Sequence, residues 1–234
     1  MSLQQPPIIV PAAQEPQSSA LIMLHGRGDS AAGWAHLAAL LSPGLPHSTF
    51  VFPNAPMRSI TKLGGALMPA WFDNPPTQLV LPGQVVVPDG ILDSRRYIEE
   101  LLQHLAREGI PSSRVVVAGF SQGASMALLM LRSERQLAGV AALSGYLPMQ
   151  HEPVLSGANK STPVLLCHGT ADRMNPYELA QQAAARLEAA GGVLQFKTYV
   201  GLGHSACEEE MDDLRQFLAA CLVQHNARGA QPAG

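Results

Sequence analysis

Apolar residues in this chain fall in short blocks, and the spacing inside each block predicts its element. Ala20-Leu21-Ile22-Met23-Leu24, Val140-Ala141-Ala142-Leu143 and Pro163-Val164-Leu165-Leu166-Cys167 are continuous apolar runs, the pattern of strands buried on both faces. Thr49-Phe50-Val51-Phe52, Arg114-Val115-Val116-Val117-Ala118 and Leu194-Gln195-Phe196-Lys197-Thr198-Tyr199 are β-branched or aromatic blocks that also predict strands. Ile8-Ile9-Val10 predicts an edge strand. Between these blocks the spacing becomes helical. Ile91, Leu92, Ile98, Leu101, Leu102 and Leu105 predict a helix over 91–108, closed by Gly109 and Pro111. Further helices are predicted near 30–41, 124–131, 176–190 and 207–223. This alternation implies an α/β class with a mostly parallel central sheet and helices on both faces. Functional groups then belong at the C-terminal ends of the strands.

The chain has 234 residues, enough for one larger α/β domain that buries about 70–75% of its unfolded surface. A single domain over 1–234 is expected, with 1–18 and 224–234 loose. Residues 53–90 are rich in Pro and Gly and predict no helix; a loop of that length inside a domain is usually functional or mobile. Only 14% of residues are charged, which suits a sheet covered on both faces. The net charge of −3 provides no attraction for nucleic acid or an anionic membrane. Cys167, Cys207 and Cys221 form neither a disulfide framework nor a metal-binding spacing, so reduced thiols and no metal are expected. No basic-then-apolar leader and no membrane-length apolar run is seen, and a cytoplasmic protein without a transmembrane segment is the expectation.

The chemistry gathers around Gly119-Phe120-Ser121-Gln122-Gly123. A strand precedes this pentapeptide and a helix follows it, the arrangement of a nucleophile elbow. The tight turn lifts the Ser121 hydroxyl out at the sheet's edge and leaves no room for large neighbours. Serine is a weak nucleophile at neutral pH and needs a base. His204, in Gly201-Leu202-Gly203-His204-Ser205, lies in a glycine-rich loop between the last strand and the last helix. His25 and His168 also stand at strand ends, each before a glycine, and are read as hydrogen-bonded groups that shape turns. The base needs an acceptor that steadies its imidazolium, and Asp172 follows the strand 163–167. The order Ser, Asp, His is that of α/β-hydrolases. Two N–H donors should hold the developing oxyanion. Gln122 follows the nucleophile, and Arg27 lies in the loop His25-Gly26-Arg27-Gly28-Asp29 after the strand 20–24.

With these residues in view, the chain resembles the acyl-protein thioesterase/carboxylesterase family of α/β-hydrolases, also described as phospholipase/carboxylesterase. The likeness runs through Leu24-His25-Gly26-Arg27-Gly28-Asp29, Pro53-Asn54-Ala55-Pro56, Ala70-Trp71-Phe72-Asp73, the elbow, His168-Gly169 and Phe196-Lys197-Thr198-Tyr199, and on to Gly203-His204-Ser205. It implies an α/β-hydrolase fold with a minimal cap, no cofactor, ester or thioester substrates, a triad of Ser121, Asp172 and His204, and oxyanion donors at Arg27 and Gln122. It also implies an acyl groove near Trp71, the loop 74–90 and Met174. Leu79, Val80 and Leu81 of that loop either line an acyl site or pack the loop onto the body. The chain departs from the family at Arg27, where an apolar residue is usual, and at Ala124, where glycine is usual.

The expected substrate is therefore a small ester or an S-acylated protein, cleaved through an acyl-enzyme. A general carboxylesterase or lysophospholipase shares all of that chemistry. A non-catalytic binding protein on the same fold is a third reading, and a homodimer stays open.

Overall fold

The computed structural model describes residues 5–74 and 86–223. Its strands are β1 (Ile8–Val10), β2 (Ser19–Leu24), β3 (Ser48–Phe52), β4 (Met57–Ile60), β5 (Ala66–Pro69), β6 (Val115–Phe120), β7 (Gly139–Leu143), β8 (Pro163–Gly169) and β9 (Val193–Tyr199). The helices are α1 (Ala31–Trp34), α2 (Leu37–Leu41), α3 (Ile91–Arg107), α4 (Gln122–Leu129), α5 (Tyr177–Ala189) and α6 (Glu208–Leu222). Seven strands form one sheet in the order β1-β3-β2-β6-β7-β8-β9. Within it, β1 pairs antiparallel with β3 and the other pairings are parallel. β4 and β5 make a separate antiparallel hairpin, called the arm below.

Side chains alternate across a strand, so each central strand feeds two cores. On β2, Ala20, Ile22 and Leu24 join the core with residues of α3, α4 and α5, whereas Leu21 and Met23 join the core with residues of α2 and α6. Burying each such leucine or isoleucine contributes about 2 kcal/mol. The helices follow the same logic at their own period. Ile91, Ser94, Ile98, Leu101, Leu102 and Leu105 are the buried residues of α3. Gly109, at φ 89°, then reverses the chain, and the Ile110 N–H bonds the Leu105 carbonyl at 2.9 Å.

Four local differences from the sequence reading have physical causes. The helix expected over 30–41 is two short helices, because the turn between them tightens to i→i+3 bonds: Ala38 N–H to Ala35 O and Ala39 N–H to His36 O. The long segment 53–90 contains the arm, turned by Gly64 and Gly65 at φ 65° and 86°. Its strands escape the periodicity argument because they stand largely outside the core. The strand expected over 163–167 continues to Gly169 beside β9. Residues 5–18, expected to be loose, are held in place. β1 pairs with β3, the Gln14 and Ser18 N–H groups donate to Pro46 O and His47 O, and Asn54 donates to Pro6 O. Residues 224–234 lie outside the described residues.

Candidate active site

Ser121 sits between β6 and α4 with φ 54° and ψ −114°. That region is costly for a residue with a Cβ, roughly 1–3 kcal/mol, and persists only where its surroundings over-determine it. They do so here. A Cβ on Gly119 would stand 2.3 Å from the Gly123 carbonyl carbon, and one on Gly123 would stand 2.2 Å from the Leu24 carbonyl oxygen. The Ser121 N–H donates to Leu143 O of β7 at 2.8 Å. The close approach at Gly123 also presses the start of α4 against the loop after β2. Arg27 and Gln122, far apart in sequence, thereby line one cavity with Ser121.

A hydrogen-bonded chain leads away from the serine. The Ser121 hydroxyl donates to His204 Nε2 at 2.8 Å, and His204 Nδ1–H donates to Asp172 Oδ2 at 2.7 Å. The other carboxylate oxygen of Asp172 accepts from the Met174 and Asn175 N–H groups at 2.8 and 2.9 Å. Asp172 is buried, and two polar backbone donors plus the imidazole satisfy it there. The loop carrying His204 reaches Asp172 because Gly169 lets it pass. A Cβ at 169 would stand 2.2 Å from Leu202 O, and the Ala171 N–H bonds that same oxygen at 3.0 Å. Phe120 supports the imidazole, with ring centroids 5.0 Å apart.

The other two strand-end histidines behave as groups that shape turns. His25 donates from Nδ1 to Gly26 O at 2.7 Å and accepts at Nε2 from the Ala55 N–H at 3.0 Å. Both ring nitrogens are used by the neutral form, and burial pushes its pKa below the ordinary histidine value. His168 is fully buried and donates from Nε2 to Asn175 O at 2.8 Å, bracing the loop that carries Asp172. Burial lowers its pKa too.

Gln122 ties the elbow to the segment before α3. Its Oε1 accepts from the Trp71 N–H at 2.8 Å, and its Nε2 donates to Phe72 O at 2.6 Å. Trp71 corrects one expectation. Its side chain is fully buried and does not line the cavity. The indole N–H instead donates to His25 O at 2.8 Å, so Trp71 steadies the loop that carries Arg27. A large ring with one donor is well placed where it can do both. Met174 does line the cavity and is 64% exposed. Leu79, Val80 and Leu81 lie outside the described residues.

The cavity has a volume of about 840 Å³. Ser121, Gln122 and His204 face it with Arg27, Lys62, Asn74 and Tyr146, while Leu147, Met149 and Leu179 supply apolar surface. Most of these lining residues escape a motif search. Their one signal in sequence is position, since Tyr146, Leu147 and Met149 follow the C-terminal end of β7. Among the described residues no three His, Cys, Asp or Glu side chains are grouped to hold a metal ion. No helix among them is long and apolar enough to cross a membrane.

Comparison with known proteins gives the family. Residues 6–222 match the family described as phospholipase/carboxylesterase. An acyl-protein thioesterase 1 from Kluyveromyces lactis is 37% identical over 221 residues, covering 91% of this chain and 96% of that protein. One from Cryptococcus neoformans is 33% identical over 225 residues, covering 89% and 94%. Among solved structures, Arabidopsis thaliana SOBER1 superposes with a TM-score of 0.79 at 31% identity, covering 88% of this chain and 99% of that one. Zea mays acyl-protein thioesterase 2 gives a TM-score of 0.76 at 27% identity, covering 92% and 98%. The chain belongs to the phospholipase/carboxylesterase family of α/β-hydrolases and is a hydrolytic enzyme of the esterase class.

Proposed function

We propose that Ser121, His204 and Asp172 form the catalytic triad of an esterase that cleaves acyl thioesters, with oxygen esters as alternative substrates. The observation that carries this reading is the continuous hydrogen-bonded chain Ser121–His204–Asp172 opening on the cavity. Relatives named acyl-protein thioesterase support the thioester and an S-acylated protein as its bearer.

The geometry supports the following steps. Ser121 Oγ attacks the substrate carbonyl carbon while His204 Nε2 takes the hydroxyl proton. Asp172, accepting from Nδ1–H, holds the ring in the tautomer that leaves Nε2 free and stabilises the imidazolium. The carbonyl oxygen becomes an oxyanion held by the N–H groups of Gln122 and Arg27. The helix start at Gln122 adds the positive end of its dipole. The tetrahedral intermediate then expels a thiolate or alkoxide, which takes the proton from Nε2 and leaves Ser121 acylated. Water attacks the acyl-enzyme, gives a proton to Nε2, and the acid departs as that proton returns to Ser121 Oγ.

A fluorophosphonate label on intact protein tests the nucleophile. Labelling confined to Ser121, lost in Ser121→Ala and greatly slowed in His204→Ala, is the expected result. A label found elsewhere overturns it. Matched thioesters and oxygen esters of rising acyl length, including an S-acylated peptide, then decide which bond is preferred.

A further inference from the structure

The cavity carries an electrostatic feature that the hydrolytic steps do not use. Arg27 and Lys62 both line it with Ser121, and both are exposed. Neither has an ion-pair partner among the described residues. Some other cations of this protein face carboxylates, among them Arg58 with Asp89, Arg132 with Glu152 and Lys197 with Asp213. Residues 75–85 cannot supply a counter-charge, because Pro75 through Val85 includes no Asp or Glu. Asp29 is the one acidic residue among the described cavity lining, and its carboxylate oxygens, though charged, form no ion pair with either cation. They accept from the Ser30 N–H at 2.8 Å and from Trp34 Nε1–H at 3.0 Å.

A neutral donor stands with the two cations. The Tyr146 hydroxyl accepts a hydrogen bond from Asn74 Nδ2, which leaves its own proton free for an acceptor. Burial raises the Tyr146 pKa and keeps that proton in place at neutral pH, while the charge of Arg27 pulls the other way. Arg27 presents a planar fork, Lys62 a mobile point charge, and Tyr146 a directed O–H. Together they match a carboxylate better than a bare hydrocarbon chain, which gains nothing from any of them.

We propose that Arg27, Lys62 and Tyr146 make this cavity selective for esters or thioesters that carry a free carboxylate. The inference rests on Ser121 as the nucleophile and adds the charge of the substrate to it. The carboxylate can sit on the acyl chain or on the departing group, and the test holds it in both places.

Two matched pairs of substrates are compared at low ionic strength. One pair is the para-nitrophenyl half-ester of suberic acid and its methyl ester. The other is the octanoyl ester of meta-hydroxybenzoate and that of meta-hydroxybenzamide. In at least one pair the charged member is expected to have a kcat/KM higher by on the order of fivefold, the range that exposed charge pairs reach. Added salt lowers that ratio, since these cations are screened. Arg27→Gln and Lys62→Gln each move the ratio toward one, and Arg27→Glu inverts it. The ratio is the readout, because damage to the oxyanion loop slows both members of a pair equally. Equal kcat/KM within both pairs in the unaltered enzyme overturns the carboxylate, and so does a ratio that Arg27→Glu and Lys62→Gln leave unchanged. No turnover of any substrate together with no label at Ser121 is a different failure, that of the nucleophile itself.

Discussion

The elbow and the arm face one cavity and are built on opposite terms. Behind Ser121 the backbone is closely packed: Gly119, Gly123 and Gly169 stand where a single added carbon would lie within 2.4 Å of backbone. The arm is a hairpin with Met57, Leu63 and Leu67 exposed, and a Cβ at Gly64 would meet nothing within 4 Å. The arm is tied to the body at few points. Gly28 N–H donates to Pro69 O, Arg58 donates to Gly90 O and faces Asp89, and the buried Asp73 carboxylate accepts from Thr61. Close packing fixes a reacting atom, whereas an open hairpin changes what reaches it. On the function proposed above, chemistry and substrate choice belong to regions of different tolerance.

The sharpest test of this contrast is Ser121→Ala. Alanine keeps the small size the turn needs and removes the attacking oxygen. Turnover is expected to fall by roughly 10⁴ or more while thermal unfolding stays close to that of the unaltered protein. A loss of less than tenfold would move the nucleophile elsewhere.

Two aspartates allow the next comparison. Asp172→Asn leaves Met174 and Asn175 their acceptor but favours the wrong imidazole tautomer at His204. A fall of about 10⁴ in kcat is expected, with the fold kept. Asp73→Asn weakens the tie between Thr61 and the body, so it should change stability and substrate preference far more than kcat. Similar steady-state rates for Asp172→Asn and the unaltered enzyme would reassign the acid.

Two glycines give the corresponding test of packing. In Gly123→Ala the new carbon meets the Leu24 carbonyl oxygen at 2.2 Å, with backbone on both sides. A loss of about 3 kcal/mol, with activity reduced in the fraction that folds, is expected from denaturant unfolding. Gly64→Ala has open space, and only its φ of 65° opposes it, at about 1 kcal/mol. Equal losses at the two positions would remove the contrast between elbow and arm.

A buried acid in α6 predicts a dependence on pH. Glu210 is fully buried in the first turn of α6, and burial pushes its carboxyl up to about 8. From the ordinary value of 4.5 to about 8, the folded protein holds a proton there that the unfolded chain has released. Stability therefore falls as pH rises through that window and levels off above it. Glu210→Gln should flatten the fall, gaining stability at pH 8 relative to pH 4 in parallel thermal melts. An unaltered pH profile in the variant would mean the carboxyl is already ionised in the fold.

The smallest effect is expected at Cys207. Its sulfur accepts from the Glu210 N–H at 3.5 Å as the cap of α6, and it lines a separate cavity with Leu37 and Met211. Serine can cap equally well, so Cys207→Ser should leave ester turnover within about threefold. A collapse of rate with the fold intact would give the thiol a role in the chemistry.

The sequence by itself determined the elements that the core depends on. Continuous apolar runs marked β2, β7 and β8, helical spacing marked α3, and the pentapeptide around Ser121 with the strand before it marked the elbow. These signals are local, because burial on two faces or one face leaves a period in the chain. The candidate triad was also legible, since position after a strand restricts which Asp and His can reach the sheet's edge. Only the tertiary structure decided what meets across long separations. Trp71 is a groove residue by family resemblance, yet its indole is buried against His25 O, 46 positions away. The arm leaves no period because its strands pair with each other and bury little. Asp29 engages Trp34, and Arg27 and Lys62 come to one cavity without an ion-pair partner among the described residues, by the path of the loops after β2 and β4. Charge in a cavity is a sum over residues distant in sequence, so no window along the chain contains it.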